Sequence, residues 1–148
     1  MNDLQDLYQS VILDHSRNPR NFRAIDGANA KAEGYNPLCG DQVTVYLTLE
    51  DHLITDASFQ GVGCAICTAS SSMMTQQVKR LSSEKALQLF ELFHDLVTTA
   101  EEFDIDTLGK LAVFSGVRNY PMRVKCASLP WHTLKAALEQ KEQPVTTE

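Results

Sequence analysis

The chain is 148 residues long, with 43% hydrophobic and 22% charged side chains, the make-up of one globular domain able to bury a core without disulfides. Its 13 basic against 19 acidic residues leave a net charge of −6, which opposes general binding to a phosphate backbone and removes nucleic acid from the expected partners. Early acids and the lack of an apolar core segment in MNDLQDLYQSVILDHSRNPR exclude a secretory signal and suit a mitochondrial presequence poorly. No apolar run approaches the roughly 20 residues that span a bilayer. A cytoplasmic protein away from membranes is expected.

Leu4, Leu7, Tyr8, Val11, Ile12 and His15 recur at helical spacing, with Asn2 or Asp3 as cap. Asn18-Pro19 ends that helix, because proline disfavours helical geometry in the residue before it. Arg17, Arg20 and Arg23 follow as a local basic cluster that reads as solvated surface. Ala28 to Glu33 predicts a short strand. Val43, Val45, Leu47 and Leu49 alternate with polar neighbours as a half-buried strand does, and a turn near Glu50-Asp51-His52 leads to a partner over about Leu53 to Phe59. Gly61-Val62-Gly63 then closes the sheet.

Ala65 to Arg80 has no Pro or Gly and predicts a helix whose first turns carry small residues. Ser70, Ser71 and Ser72 lack the Gly-flanked elbow of a catalytic serine and read as close-packing groups. Further helices are predicted over Ser83 to Val97 and through Ile105, Leu108, Leu111, Ala112 and Val117. Asn119-Tyr120-Pro121 breaks the chain before a last helix carrying Leu129, Leu134, Ala137 and Leu138, with Pro130 admissible only in its first turn. Strands first and helices afterwards predict one α+β domain over residues 1–140, a small antiparallel sheet with helices on one face. Residues 141–148 are expected as a polar, frayed tail.

The four cysteines, at 39, 64, 67 and 126, are too few for a disulfide scaffold at this length. In a reducing cell such thiols are metal ligands, catalytic groups or buried apolar residues. They lie in NPLCGD, GVGCAIC and RVKC, each at an expected element boundary where ligands from distant positions can gather. Thiolates suit zinc and iron, and the carboxylate of Asp41 can complete a tetrahedron with Cys39, Cys64 and Cys126. Cys64 and Cys126 are both expected at helix starts, where free N–H groups favour thiolate, with Arg123 and Lys125 pushing Cys126 the same way. Gly40, Gly61 and Gly63 allow tight turns there. Spacing by itself leaves a metal site and scattered structural cysteines both open.

The segments NPLCGD, GVGCAICTASSSMM and RVKCASLPW resemble the three cysteine motifs of the U-type iron–sulfur assembly family, which includes IscU-like and SufU-like proteins and the N-terminal part of NifU. LYQSVILDHSRNPRNF resembles that family's first helix and loop, so the likeness runs from about Leu4 to Leu138. Lys125 stands where IscU-like proteins carry a histidine, and the long stretch between Cys64 and Cys126 is similar to SufU-like members. The resemblance implies zinc held by Cys39, Asp41, Cys64 and Cys126, and a pyridoxal-phosphate cysteine desulfurase (SufS-like) as partner. It implies persulfide sulfur accepted on Cys39, with Cys126 the second choice, and delivery to downstream iron–sulfur assembly proteins. The alternative is a scaffold loaded with iron or a transient [2Fe–2S] cluster.

Cys67 departs from the family, where a small residue is usual; it reads as filler under the helix. The competing readings are a fourth thiolate ligand, a Cys64–Cys67 disulfide, or a CxxC oxidoreductase that lacks the βαβ setting. His15 is expected to be packed or capping, His52 in the hairpin turn, and His94 and His132 on helices away from the motifs. Met73 and Met74 read as core or interface residues, and Arg123 as a charge beside the site.

Overall fold

The computed structural model describes residues 3–99, 104–140 and 144–146, with side chains from residue 8 onward. Helix α1 spans Asp3–Arg17, and strands β1 (Ala30–Asn36), β2 (Asp41–Glu50) and β3 (Leu53–Val62) follow. Then come α2 (Ala65–Val78), α3 (Ser83–Thr98), a short α4 (Ile105–Leu108), a 3₁₀ segment over Gly109–Asn119, α5 (Pro121–Leu138) and a two-residue strand β4 (Val145–Thr146). The fold is α+β. The expected cap at Asn2 or Asp3 and the packing of Leu4 and Leu7 lie outside the described side chains.

The strands form an antiparallel meander in the order β3-β2-β1-β4. Asp51 and His52 both have positive φ, 50° and 67°, the twist that a two-residue turn between antiparallel strands requires. Alternation does the rest: Ala30, Ala32, Val43, Val45 and Leu47 all point into the core. β1 runs later than expected, to Asn36, because its pairing continues to the Asn36–Asp41 partners at the loop. The expected frayed tail is corrected at Val145 and Thr146, which pair in parallel with Gly34 and Tyr35 of β1.

The helices cover the inner face of the sheet. Ser70, Ser71 and Ser72 of α2 are fully buried and let α1 and α5 approach closely. The Ser72 hydroxyl sits 2.7 Å from Nδ1 of buried His15 and accepts the Arg20 N–H at 2.8 Å. Burial holds the His15 imidazole below its ordinary pKa, hence neutral. Two members of the basic cluster are paired at the surface: Arg20 meets Asp14 at 2.6 Å and Arg23 meets Asp56 at 2.9 Å.

Trp131 of α5 stacks on Phe93 of α3 with ring centroids 4.7 Å apart, and Phe114 meets Phe93 edge-on at 5.6 Å. Burying such side chains contributes about 1.5–3 kcal/mol each. His94 and His132 pack with Phe90 in a separate aromatic group, away from the cysteines. Among the described residues no helix is long and apolar enough to cross a membrane.

Two helix expectations are corrected. The helix expected through Ile105 to Val117 is interrupted at Gly109, whose φ is +56°, and continues as 3₁₀ turns. The last helix begins at Pro121, so Pro130 lies inside it rather than in its first turn. Pro130 cannot donate to the carbonyl of Cys126, four residues back. Ser70 steadies this stretch by donating to the next carbonyl, Ala127, at 2.6 Å, while accepting the Trp131 indole N–H at 3.2 Å.

Gly34 is where α5 meets the sheet: a Cβ there would overlap Thr133 Oγ1 and lie 3.0 Å from Leu129 Cδ1. We expect Gly34→Ala to destabilise the fold by about 1–3 kcal/mol, the usual cost of overpacking. Gly116→Ala, whose Cβ would meet nothing within 4 Å, should stay within about 0.5 kcal/mol of the parent. Urea unfolding midpoints measure both.

Candidate metal centre

Cys39 lies on the exposed loop between β1 and β2. The Asn36 carbonyl accepts the N–H groups of Cys39 at 3.2 Å and Gly40 at 2.8 Å, curling the loop over itself. Gly40 takes φ +74°, a conformation cheap only for glycine, and the chain re-enters the sheet at Asp41. The Asp41 side chain turns inward and is 1% exposed.

Cys64 is the N-cap of α2, and its Sγ accepts the Cys67 N–H at 3.5 Å. Its own N–H donates to Asp41 Oδ1 at 2.8 Å, while Sγ lies 4.0 Å from Oδ2. Gly63 makes this approach possible: a Cβ there would stand 2.8 Å from Asp41 Oδ1. Cys126 arrives from the opposite side on α5 and is buried.

Ligand atoms of Cys39, Asp41 and Cys126 all lie within 4.8 Å of one another at one end of the sheet. Cys64 stands outside that group but adjoins it, with Sγ 4.0 Å from Asp41 Oδ2 and a hydrogen bond to Cys126. Cys67 is close by, in the first turn of α2, and buried. Arg123 stacks over the Tyr120 ring at 4.5 Å. Asn36 is a site residue that spacing did not single out. Fully buried, it points Nδ2 at Cys126 Sγ from 3.8 Å, and its Oδ1 has no partner. The signal available was its place at the head of NPLCGD, paired with Asp41 across the hairpin.

The electrostatics divide the thiols. The hydrogen bond from Cys126 lowers the Cys64 pKa to about 6. The Cys67 N–H assists, while partial burial and the Asp41 charge oppose. Cys126 is pushed above its ordinary value, first because its proton serves Cys64 and then by burial. The expected thiolate bias at Cys126 is therefore corrected. It is the sixth residue of α5, beyond the free N–H groups of the first turn, and Cys64 holds the pair's negative charge. Burial likewise pushes the Cys67 thiol up.

Three sulfurs and one carboxylate are a donor set for a borderline cation. Zinc–sulfur bonds of about 2.3 Å place tetrahedral ligand atoms roughly 3.5–4 Å apart, a spacing that Cys39, Asp41 and Cys126 approach to within about an ångström, while Cys64 would have to swing in to complete the set. The group fits. The orphaned Asn36 amide oxygen is one more polar group buried beside Cys126.

Residues 7–127 match the family model described as NifU-like N terminal domain. The chain belongs to this family. It is 37% identical over 140 residues to the zinc-dependent sulfurtransferase SufU of Bacillus subtilis, covering 95% of each chain. It is 39% identical over 141 residues to the iron-sulfur cluster assembly scaffold protein IscU of Thermotoga maritima, covering 93% of this chain and 96% of the relative. A crystal structure from Fervidobacterium islandicum, of a candidate iron–sulfur cluster assembly scaffold protein for the SUF system, superposes with a TM-score of 0.84 at 38% identity. It covers 90% of this chain and 98% of that one.

The contact of Gly63 with Asp41 gives a test of the cradle. Gly63→Ala should displace the carboxylate and weaken zinc retention by about tenfold, the lower end of what outer-shell changes cost. Competition against a chromogenic chelator reads this, and an unchanged affinity would show that Asp41 does not need the space.

Proposed function

We propose that this protein serves iron–sulfur cluster assembly by accepting sulfane sulfur from a SufS-like, pyridoxal-phosphate-dependent cysteine desulfurase. Cys39, Asp41, Cys64 and Cys126 would hold zinc, and Cys39 would receive the sulfur before it passes to downstream assembly proteins. The clustering of Cys39, Asp41 and Cys126 beside Cys64, with Cys39 on the exposed loop, carries the reading. Zinc, when bound, would keep the thiols ionised and cover Cys39.

The chain's own residues supply the rest. Cys39 is the ligand whose backbone belongs to a loop, so its departure costs little structure. Asp41 is anchored at the start of β2, Cys64 at the start of α2 and Cys126 within α5. Leu38, Val62 and Met122 are exposed by 63%, 67% and 43% and adjoin the three ligand segments in the chain, an apolar surround suited to a protein partner. An apolar groove of about 470 Å³ between Ile12, Ile66, Val117 and Tyr120 lies alongside. In the transfer, the Cys39 thiolate attacks the outer sulfur of the partner's persulfide. A new S–S bond forms on Cys39, and the partner's cysteine leaves as thiolate.

Scaffolding of a [2Fe–2S] cluster is the second reading, supported by the IscU name of close relatives and by thiolates that also suit iron. Metal content decides: about one zinc per colourless chain supports sulfur acceptance, whereas a brown protein with iron and labile sulfide after anaerobic preparation supports scaffolding. Asp41→Ala should lose zinc and raise basal thiol reactivity without unfolding, since it removes a buried carboxylate and its bond to the Cys64 N–H at the end of the sheet while the core packing stays intact.

The acceptor assignment has its own test. With desulfurase and cysteine but no reductant, alkylation and peptide mass spectrometry should find persulfide first on Cys39, and Cys39→Ala should abolish acceptance. Sulfur appearing first on Cys126, with Cys39→Ala still active, would move the acceptor to Cys126.

A further inference from the structure

Cys67 has no place in the proposed donor set, yet it is built next to it. Cys64 is the N-cap of α2 and bends its sulfur back over the first turn, 3.5 Å from the Cys67 N–H. Helical Cα–Cβ bonds tilt toward the N-terminus, and that of Cys67 does so here: its Cβ lies 3.4 Å from where a Cβ on Gly63 would stand. The two sulfurs therefore sit at the same turn, one exposed and one buried. Such a pair three residues apart at a helix start can close a disulfide with little backbone movement. Ser71, whose hydroxyl donates to the Cys67 carbonyl at 2.8 Å, supports the turn from below.

We propose that Cys67 is a resolving thiol that releases sulfide from a persulfide on Cys64, so that the chain reduces the sulfur it carries as well as accepting it. This rests on the sulfur-acceptor reading above. The Cys64 thiolate first takes the outer sulfur from Cys39, whose own sulfur leaves as thiolate. The Cys67 thiol then passes its proton to the terminal persulfide sulfur and attacks Cys64 Sγ. The Cys64–Cys67 bond forms, the bond to the outer sulfur breaks, and HS⁻ departs. The sulfane sulfur gains two electrons and the two thiols lose them, so one turnover needs no outside reductant. Resetting the pair needs an external dithiol. Because Cys64 is consumed, each release also removes a ligand from the metal site.

The experiment loads the full zinc-containing chain with inorganic polysulfide, without desulfurase, so a failure of partner-driven transfer cannot be mistaken for a failure of this step. After anaerobic desalting with a chromogenic chelator present, free sulfide, released zinc and protein mass are followed together. Expected are one sulfide per Cys64–Cys67 cross-linked peptide, found 2 Da below the dithiol, and zinc appearing in step. Cys67→Ser and Cys67→Ala should hold the added sulfur as persulfide and release sulfide at least about tenfold more slowly until a dithiol is added. The parent's cross-link and sulfide stoichiometry stand as a readout even if both variants fold poorly. Sulfide release without a Cys64–Cys67 cross-link, a cross-link mapped to Cys39, or equal release from the variants would each overturn the proposal.

Discussion

The buried carboxylate of Asp41, bonded to the Cys64 N–H, holds the site together. It joins two segments with no sequence proximity, the loop leaving β1 and the first turn of α2. A buried carboxylate needs such donors, and a helix start offers free N–H groups. The bond thus satisfies the acid and aims the Cys64 sulfur at the same time. Gly63 must lack a side chain for this to happen, and the β2–β3 register that pairs Gln42 with Val62 brings the two segments level.

The fourth side of the site depends on how closely helices can pack. α2 presents Ser70, Ser71 and Ser72 inward, with no bulk to keep α5 away. α5 then runs across β1, where Gly34 admits Thr133 and Leu129, and this crossing lowers Cys126 onto Asn36 and Cys64. The resulting thiols differ in character: Cys64 is exposed and ionises readily, whereas Cys126 and Cys67 are buried and keep their protons. One exposed loop thiol, one ionised cap thiol and two protonated ones give the site sulfurs of unequal reactivity.

Much of the architecture was legible because its causes are local. Alternation in Val43 to Leu49 announced a half-buried strand, and the turn at Asp51-His52 its hairpin. The errors arose where local rules met tertiary support. Pro130 reads as a helix start because its ring disfavours an interior position. Ser70 and the packing of Trp131 steady that interior, so α5 begins at Pro121 and Cys126 falls in its second turn. The 3₁₀ course after Gly109 and the pairing of Val145 and Thr146 with β1 have no comparable signal in periodicity.

The donor types, their order in three motifs and the family likeness were determined by sequence, since a thiolate's or a carboxylate's affinity for a metal belongs to the side chain itself. Which sulfur is exposed, which keeps its proton and which neighbours complete the cavity were decided only by tertiary structure. Asn36 is the clearest case: its amide sits at the end of β1, ninety positions from the sulfur it faces. Burial and hydrogen bonding are properties of what surrounds a group, and here those surroundings come from a loop, the ends of two strands and two helices that meet only when the chain is folded.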